Sequence, residues 1–313
     1  MRSHIAIDIG GTQMRAACFQ EGEQKAARLK RTATQGANRT PLEKLNSLID
    51  SVWPQGCEVQ AIGLAVPGPI DLPRRQVITT PNIPEWRDFP LPDILEERFK
   101  VPVAIDNDAN LAALGEWNFG AGHGHSHLVY ITVSTGIGGG IIVDNQLLHG
   151  VRGLAAELGH VTVVPDGPLC GCGLRGHLEA VASGTAIARM AREGLARREA
   201  SSLVADPPPN ARTVAEAAEQ GDPLSQRIMA YAGKMLGVAL ADFLHIFNPS
   251  ILILGGGVSH SGETFWAPLR QALQHHTMSA EYSKNLVIAQ AALGDEAGLM
   301  GALALARSIA QAY

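Results

Sequence analysis

The sequence predicts an α/β protein of two similar domains, and three observations carry that expectation. An apolar run, Ile5-Ala6-Ile7, meets a glycine turn at Asp8-Ile-Gly-Gly-Thr12 and resumes from Met14 to Phe19. The same strand–glycine–strand pattern returns where Leu128–Val133 enters Ser134-Thr-Gly-Ile-Gly-Gly-Gly140 and Ile141–Val143 leaves it. One repeat at so long a period suggests duplication of a domain and not a solenoid. Apolar strands and helical patterns alternate through the second half, the mark of an α/β layer structure. The length of 313 residues exceeds the roughly 100–200 residues of one domain.

Composition narrows the class. Hydrophobic residues make up 46% and charged residues 18%, enough to build cores and too little charge for a disordered chain. The net charge of −5, from 25 Lys+Arg against 30 Asp+Glu, argues against a nucleic-acid partner. No run approaches the ~18 consecutive apolar residues of a membrane span. The opening Met1-Arg-Ser-His-Ile-Ala-Ile-Asp8 has no signal-peptide core, because Asp8 breaks it. A cytoplasmic location without a membrane partner is therefore expected. Of four cysteines, Cys170 and Cys172 sit one residue apart, which in a reducing compartment reads as metal ligation.

The elements follow in order. Leu42, Leu45, Leu48, Ile49 and Val52 give a helix over 41–52. Ala61–Val66 is a buried strand stopped by Pro67-Gly68-Pro69, and Pro81–Trp86 is an ordered loop. A helix over 92–99 and a strand over 101–105 lead to Asp106-Asn107-Asp108, which opens a helix through about Trp117. The Gly/His-rich stretch 123–127 marks a domain boundary. Helical patterns cover 178–199, 222–247 and 295–311; Ile251–Leu254 is a strand ended by Gly255-Gly256-Gly257. The expected division is a smaller domain of 1–120 plus the helix 297–313, and a larger one of 121–296 holding a metal loop at 160–177.

Glycine turns between strands let successive backbone N–H groups converge on an anion. Gly10, Gly11 and Thr12 on one side, and Thr135 and Gly136 on the other, could grip a polyphosphate across a cleft. Gly256 and Gly257 suit the close approach of a base or ribose. None of these is a Walker A loop, and none completes G-x-G-x-x-G, since positions 141 and 260 are Ile and His. Asp8 ends an apolar strand, where a carboxylate is costly unless paired or metal-bound. It is a candidate anchor for Mg²⁺ or water beside phosphates.

Asp108 sits at a strand-to-helix junction, where α/β sheets gather ligands. Phosphoryl transfer to an alcohol needs a proton acceptor, and Asp108 is the candidate, with Asn107 bonding a second hydroxyl. The competing reading is that both residues cap the helix. His160, Cys170, Cys172 and His177 offer two imidazoles and two thiolates, a set suited to a closed, structural Zn²⁺ site. Glu157 and Glu179 flank that loop and could bond sugar hydroxyls.

Together these stretches resemble the ROK family of sugar kinases and repressors, which has the actin/hexokinase/Hsp70 ATPase fold. The resemblance rests on Asp8–Thr12, Pro67–Pro69, Asn107–Asn110, Ser134–Gly139, Glu157–His160, Cys170–Gly173 with Glu179, and Leu254–Gly257, in family order across nearly the whole chain. It implies two ribonuclease-H-like domains flanking a cleft that takes ATP, Mg²⁺ and a sugar. It further implies Asp108 as catalytic base, and Asn82, Asn107, Asp108, Glu157, His160 and Glu179 as sugar contacts. Zinc would be held by His160, Cys170 and Cys172, with His177 standing where the family has a third cysteine. Gln13 replaces a frequent lysine. Pro81–Trp86 and Ala109–Trp117 look most like bacterial glucokinases, so phosphorylation of glucose at the 6-hydroxyl is expected. N-acetylmannosamine and fructose are the alternative substrates. A sugar-sensing regulator is the non-enzyme alternative, disfavoured because only seven residues precede Asp8. The family also implies a homo-oligomer, dimer or tetramer.

Overall fold

The computed structural model describes residues 1–36 and 39–311; the last two residues of the predicted 297–313 segment lie outside them. The first sheet contains β1 (Arg2–Ile9), β2 (Gln13–Gln20), β3 (Arg28–Ala33), β4 (Glu58–Val66) and, beyond a hairpin of β5 (Ile70–Asp71) and β6 (Gln76–Val77), β7 (Val103–Asn107). Its order is β3-β2-β1-β4-β7, an antiparallel meander with two parallel strands added to the other side of β1. The second sheet contains β8 (Leu128–Val133), β9 (Ile137–Val143), β10 (Gln146–Leu147), β11 (Ile251–Gly255) and β12 (Val287–Gln290). Its order, β10-β9-β8-β11-β12, repeats the same directions. The duplication expected from the two glycine turns is thus a duplicated sheet topology, and the α/β class with two such units is borne out.

The strand pleat explains both faces of the first sheet. Ile5, Ile7 and Ile9 point to one side, where α1 (Pro41–Val52) and α2 (Leu91–Phe99) supply Leu45, Ile49 and Leu95. Each such fully buried aliphatic side chain contributes roughly 1.5–3 kcal/mol. Helix α1 starts on a capping box, Thr40 and Glu43 each bonding the other's backbone N–H. On the opposite face, small Ala6 and Ala65 lie under α9 (Ala297–Ala310). A methyl on Gly63 would collide with the Ala302 carbonyl, so the glycine sets how closely α9 approaches.

Helix α3 (Asp108–Phe119) lies between the two sheets and is apolar on both sides, as a helix with two buried faces must be. Leu111 joins the α9 cluster, whereas Ala112 and Ala113 pack on Leu128, Tyr130 and Ile142 of the second sheet. The glycine run here differs from the expected turn. Only Ser134–Gly136 turns, and Gly138–Gly140 are strand residues of β9. Their bareness serves packing: side chains on Gly138 and Gly140 would strike Ala109 and Ala113 of α3, and one on Gly139 would strike Leu158.

The other face of the second sheet is covered by α4 (Leu178–Ala182), α5 (Gly184–Ala196), α6 (Ala211–Glu219), α7 (Pro223–Phe247) and α8 (Glu263–His276). The single helix expected over 178–199 is two, because Ser183 leaves helical geometry and caps α5 through Ala186 N. Helix α7 is long and apolar enough to cross a membrane, but it carries Arg227, Lys234 and Asp242 and packs Leu236, Leu240 and Phe243 into the core. Glu116, fully buried near the end of α3, accepts N–H bonds from Ala121, Ala292 and Leu293. Those residues belong to the two segments that join α3 to β8 and β12 to α9.

Candidate active site

Strand β7 ends in Asp106-Asn107, and Asn107 caps α3 through Ala109 N and Asn110 N at 2.9 and 3.3 Å. Its amide also donates to the Gly68 carbonyl at 3.0 Å. The capping reading of Asn107 therefore holds, and only part of its amide remains for a ligand. Asp108 is the first residue of α3, and its Oδ1 accepts from Ala109 N at 2.9 Å. It opens onto a cavity of about 400 Å³ that also exposes Asn107, Glu157 and His160.

Burial pushes the Asp108 carboxyl up to about 7; the negative charge of Asp8 and, more weakly, Glu157 adds to this against the Ala109 N–H. Asp8 and Asp108 thus face one region from the ends of β1 and β7. Asp8 is not a turn residue bonding its own backbone: its Oδ2 is ion-paired with Arg15, which also donates to the Asp295 carbonyl at 2.6 Å. Opposite-strand register places Arg15 directly across from Asp8.

The two equivalent turns are built differently. In the first, Gly10 N donates to Gln13 O at 2.9 Å, and a Cβ on Gly10 would crowd that oxygen. Fully buried Thr34, absent from the sequence reading, ties this turn to β3 by donating Oγ1 to Gly10 O at 2.7 Å and N to Thr12 O at 2.9 Å. In the second, Ser134 O accepts from Gly184 N at 2.7 Å and Thr135 O accepts from Thr185 Oγ1 at 2.9 Å. The N-terminus of α5 therefore abuts the Ser134–Gly136 turn. Its first N–H groups are taken by protein, Thr185 N donating to Thr135 O at 3.3 Å and Ala186 N to Ser183 Oγ at 3.1 Å, and its dipole points its positive end at the turn.

Ser134, Thr135, Thr185, Arg192, Arg212 and Gly257 line a cavity of about 770 Å³, a size that suits a nucleotide. The sequence reading found Thr135 and Gly257 but not Thr185, Arg192 or Arg212. The Ser183-Gly-Thr185 helix start was the available signal for Thr185. Gly256 does not line this cavity. It holds φ +81° against the Val133 carbonyl, a left-handed conformation that frees Gly257 to face the cavity.

Two expected sugar contacts lie elsewhere. Asn82 is exposed, its amide packed on Gly11, and it does not line the Asp108 cavity. Glu179 is also absent from that lining: its Oε2 accepts from Ile137 N at 2.9 Å and its Oε1 lies 3.6 Å from Cys170 Sγ. Oε2 is engaged because α4 lies against the start of β9; Oε1 faces Cys170, which as a metal-bound thiolate would have no proton to give it.

The four expected metal ligands converge. Donor atoms of His160, Cys170, Cys172 and His177 all lie within 4.8 Å of one another. His160 Nδ1 is 3.4 Å from His177 Nδ1 and 3.7 Å from Cys170 Sγ, and Cys172 Sγ is 3.3 Å from His177 Nδ1. A tetrahedron with ~2.0–2.3 Å bonds to nitrogen and sulfur has edges of about 3.3–3.8 Å, so these three donor pairs already match a Zn²⁺ site and the set could hold one. His177 is buried and pairs its backbone with Thr162.

Comparison with known proteins identifies the family. The ROK family pattern matches residues 4–309. A glucokinase of Thermotoga maritima is 39% identical over 306 residues, 96% of each chain. The crystal structure of a ROK family glucokinase from Streptomyces griseus in complex with glucose and AMPPNP is 38% identical, with a TM-score of 0.80 over 98% of this chain and 99% of that one. The ROK hexokinase from Thermus thermophilus is 35% identical, with a TM-score of 0.82 over 99% and 100% of the two chains. The chain belongs to the ROK family.

Proposed function

We propose that this chain is an ATP-dependent hexose kinase that transfers the γ-phosphoryl group of ATP to the 6-hydroxyl of glucose. The observation that carries the reading is Asp108, a carboxyl of raised proton affinity opening on a cavity that also exposes Asn107, Glu157 and His160, in a chain with a second, nucleotide-sized cavity. A base with pKa near 7 suits proton abstraction at neutral pH. Its Oδ1 is held by Ala109, so Oδ2 takes the hydroxyl proton as the sugar oxygen bonds to the γ-phosphorus and ADP departs with the cleaved oxygen. Glu157, His160 and the free amide hydrogen of Asn107 hold the other hydroxyls. Asn82 reaches the sugar only if the lobes close, as water exclusion in this chemistry favours; Glu179, with Oε2 held by Ile137 of its own lobe, has Oε1 to offer.

In this reading Thr135 and Gly136, at the positive end of the α5 dipole, receive phosphates from one lobe, and Gly10, Gly11 and Thr12 from the other. Gly257 borders the base or ribose, and Gly256 behind it sets the turn that presents it. Mg²⁺ arrives with ATP as part of the substrate. Among the described residues only the Oδ2 of Asp8 is engaged, which leaves Oδ1 for a metal-bound water. Zn²⁺ held by His160, Cys170, Cys172 and His177 supplies order to the glycine-rich loop and no chemical step. With His160 Nδ1 on the metal, Nε2 remains for the sugar. The domain division at 120/121 and 296/297, a cytoplasmic dimer or tetramer, and the absence of nucleic-acid and membrane partners complete the proposal.

The test is a coupled ADP-release assay over glucose, mannose, fructose, N-acetylglucosamine and N-acetylmannosamine. Glucose is expected to give the highest kcat/KM. Turnover of N-acetylmannosamine without glucose would move the substrate assignment, and no sugar-dependent ADP release would reject the kinase.

A further inference from the structure

Asp106 immediately precedes the Asn107-Asp108 pair, is 2% exposed, and takes no part in the mechanism above. Its Oδ1 accepts from Asn107 N at 2.7 Å and from the buried Asn110 amide at 3.0 Å. Its Oδ2 lies 2.6 Å from His149 Nε2. His149 does not belong to the first sheet. It follows β10, and its neighbour Leu148 is bonded to Ile141 O of β9 at 2.8 Å. One imidazole from the second sheet thus satisfies the carboxylate that shapes the β7–α3 junction of the first.

The contact is built and not incidental. A buried carboxylate lacking a donor or countercharge is strongly unfavourable. A carboxylate oxygen accepts, so the ring meets Asp106 as a donor through Nε2, and that bond raises the proton affinity of His149. Three residues on, the same loop makes a parallel contact: Arg152 is ion-paired at 2.6 Å with Asp71, which is 3% exposed, and Arg152 O accepts from Leu72 N at 3.1 Å. The loop is therefore fixed at two points on the first domain before it supplies Gly153, Ala155 and Glu157 to the Asp108 cavity.

We propose that His149 is a positioning residue, acting through Asp106 to set Asp108 in register with the nucleotide-bearing second sheet. The only hydrogen bond to the Asp108 side chain among the described residues comes from its neighbour Ala109, so the junction itself must aim it. Misplacing a reacting group by about 1 Å can cost 10²-fold in rate. This inference rests on Asp108 being the base.

The test compares His149→Ala and His149→Gln with the wild type, kcat being expressed per folded enzyme. Glutamine can place an N–H near the Nε2 position; alanine cannot. His149→Ala is expected to lower kcat with glucose about 10–100-fold. KM for ATP should stay within about threefold, and His149→Gln should recover most of the loss. A kcat for His149→Ala within twofold of wild type, or equal losses in both variants, would overturn the proposal. If His149→Ala does not fold, His149→Gln is set against the shorter His149→Asn, and equal kcat values in those two overturn it. Asp108→Asn, assayed alongside, separates the two readings. Turnover there would remove the base assignment, whereas an inactive Asp108→Asn with an unaffected His149→Ala would remove only the positioning role.

Discussion

Glu179 accepts a hydrogen bond from the backbone N–H of Ile137 at 2.9 Å. That bond joins the helix following the metal loop to the strand leaving the second phosphate turn, and Cys170 lies against the other carboxylate oxygen. Order in the loop and order in the turn are therefore coupled. Purified protein is expected to hold one Zn²⁺ per chain by atomic emission. Metal removal by chelation, or Cys170→Ser, should lower kcat/KM for glucose at least about tenfold, and added Zn²⁺ should restore the chelated enzyme. His177→Cys should keep the metal and His177→Ala should lose it. A metal-free protein of full activity would contradict the coupling.

The raised Asp108 pKa has consequences for rate and stability. As the base, it acts ionised, so kcat should rise with pH to a plateau above about 7. As a structural group it does the opposite. The folded state binds its proton more tightly than the unfolded state, so this group's contribution is fully favourable below about pH 4. It is lost progressively as pH rises toward 7. Asp108→Asn removes that ionisation. Its stability should match wild type near pH 4 and exceed it at pH 8 by on the order of 2–4 kcal/mol, seen as a higher melting temperature. Thermal melts at both pH values measure it, and a pH-independent difference would contradict the raised pKa.

Glu116 bonds the two segments that pass between the sheets. Glu116→Gln turns an N–H toward backbone N–H groups and leaves a buried donor unsatisfied. A loss of about 2–3 kcal/mol is expected, read as a lower thermal midpoint. An unchanged midpoint would show that water replaces the bond freely.

Gly301 marks the closest approach of α9 to α3, where a methyl would run into the Leu111 carbonyl backbone. Gly301→Ala is expected to cost about 3 kcal/mol or to abolish soluble expression, because the obstacle is backbone and cannot rotate away. Wild-type stability in this variant would mean that the two helices part easily.

Much of this was legible in the chain because the signals are local. Asp8–Thr12 and Ser134–Gly136 sit between apolar runs, and His160, Cys170, Cys172 and His177 lie within one short segment. What escaped was set by tertiary contact. Gly138–Gly140 look like a turn in sequence and are a strand only because α3 presses on them. Ser183 reads as one residue of a continuous helix, yet its hydroxyl starts a new one. Strand β3 carries Arg28, Lys30 and Arg31 at an exposed sheet edge, where charge protects against pairing and hides the strand pattern. Thr34 and Glu116 have no motif at all; their roles exist only once distant backbone groups are brought to them. Glu179 looks in sequence like a free carboxylate beside the metal loop, yet its Oε2 is taken up by Ile137 N.

The most direct measurement of the central claim pairs calorimetric glucose binding with steady-state ADP release for Asp108→Asn. The account predicts glucose affinity within about threefold of wild type and a kcat lowered by 10²–10⁴-fold, the range supplied by a positioned general base. A kcat close to wild type in a variant that still binds glucose would contradict it.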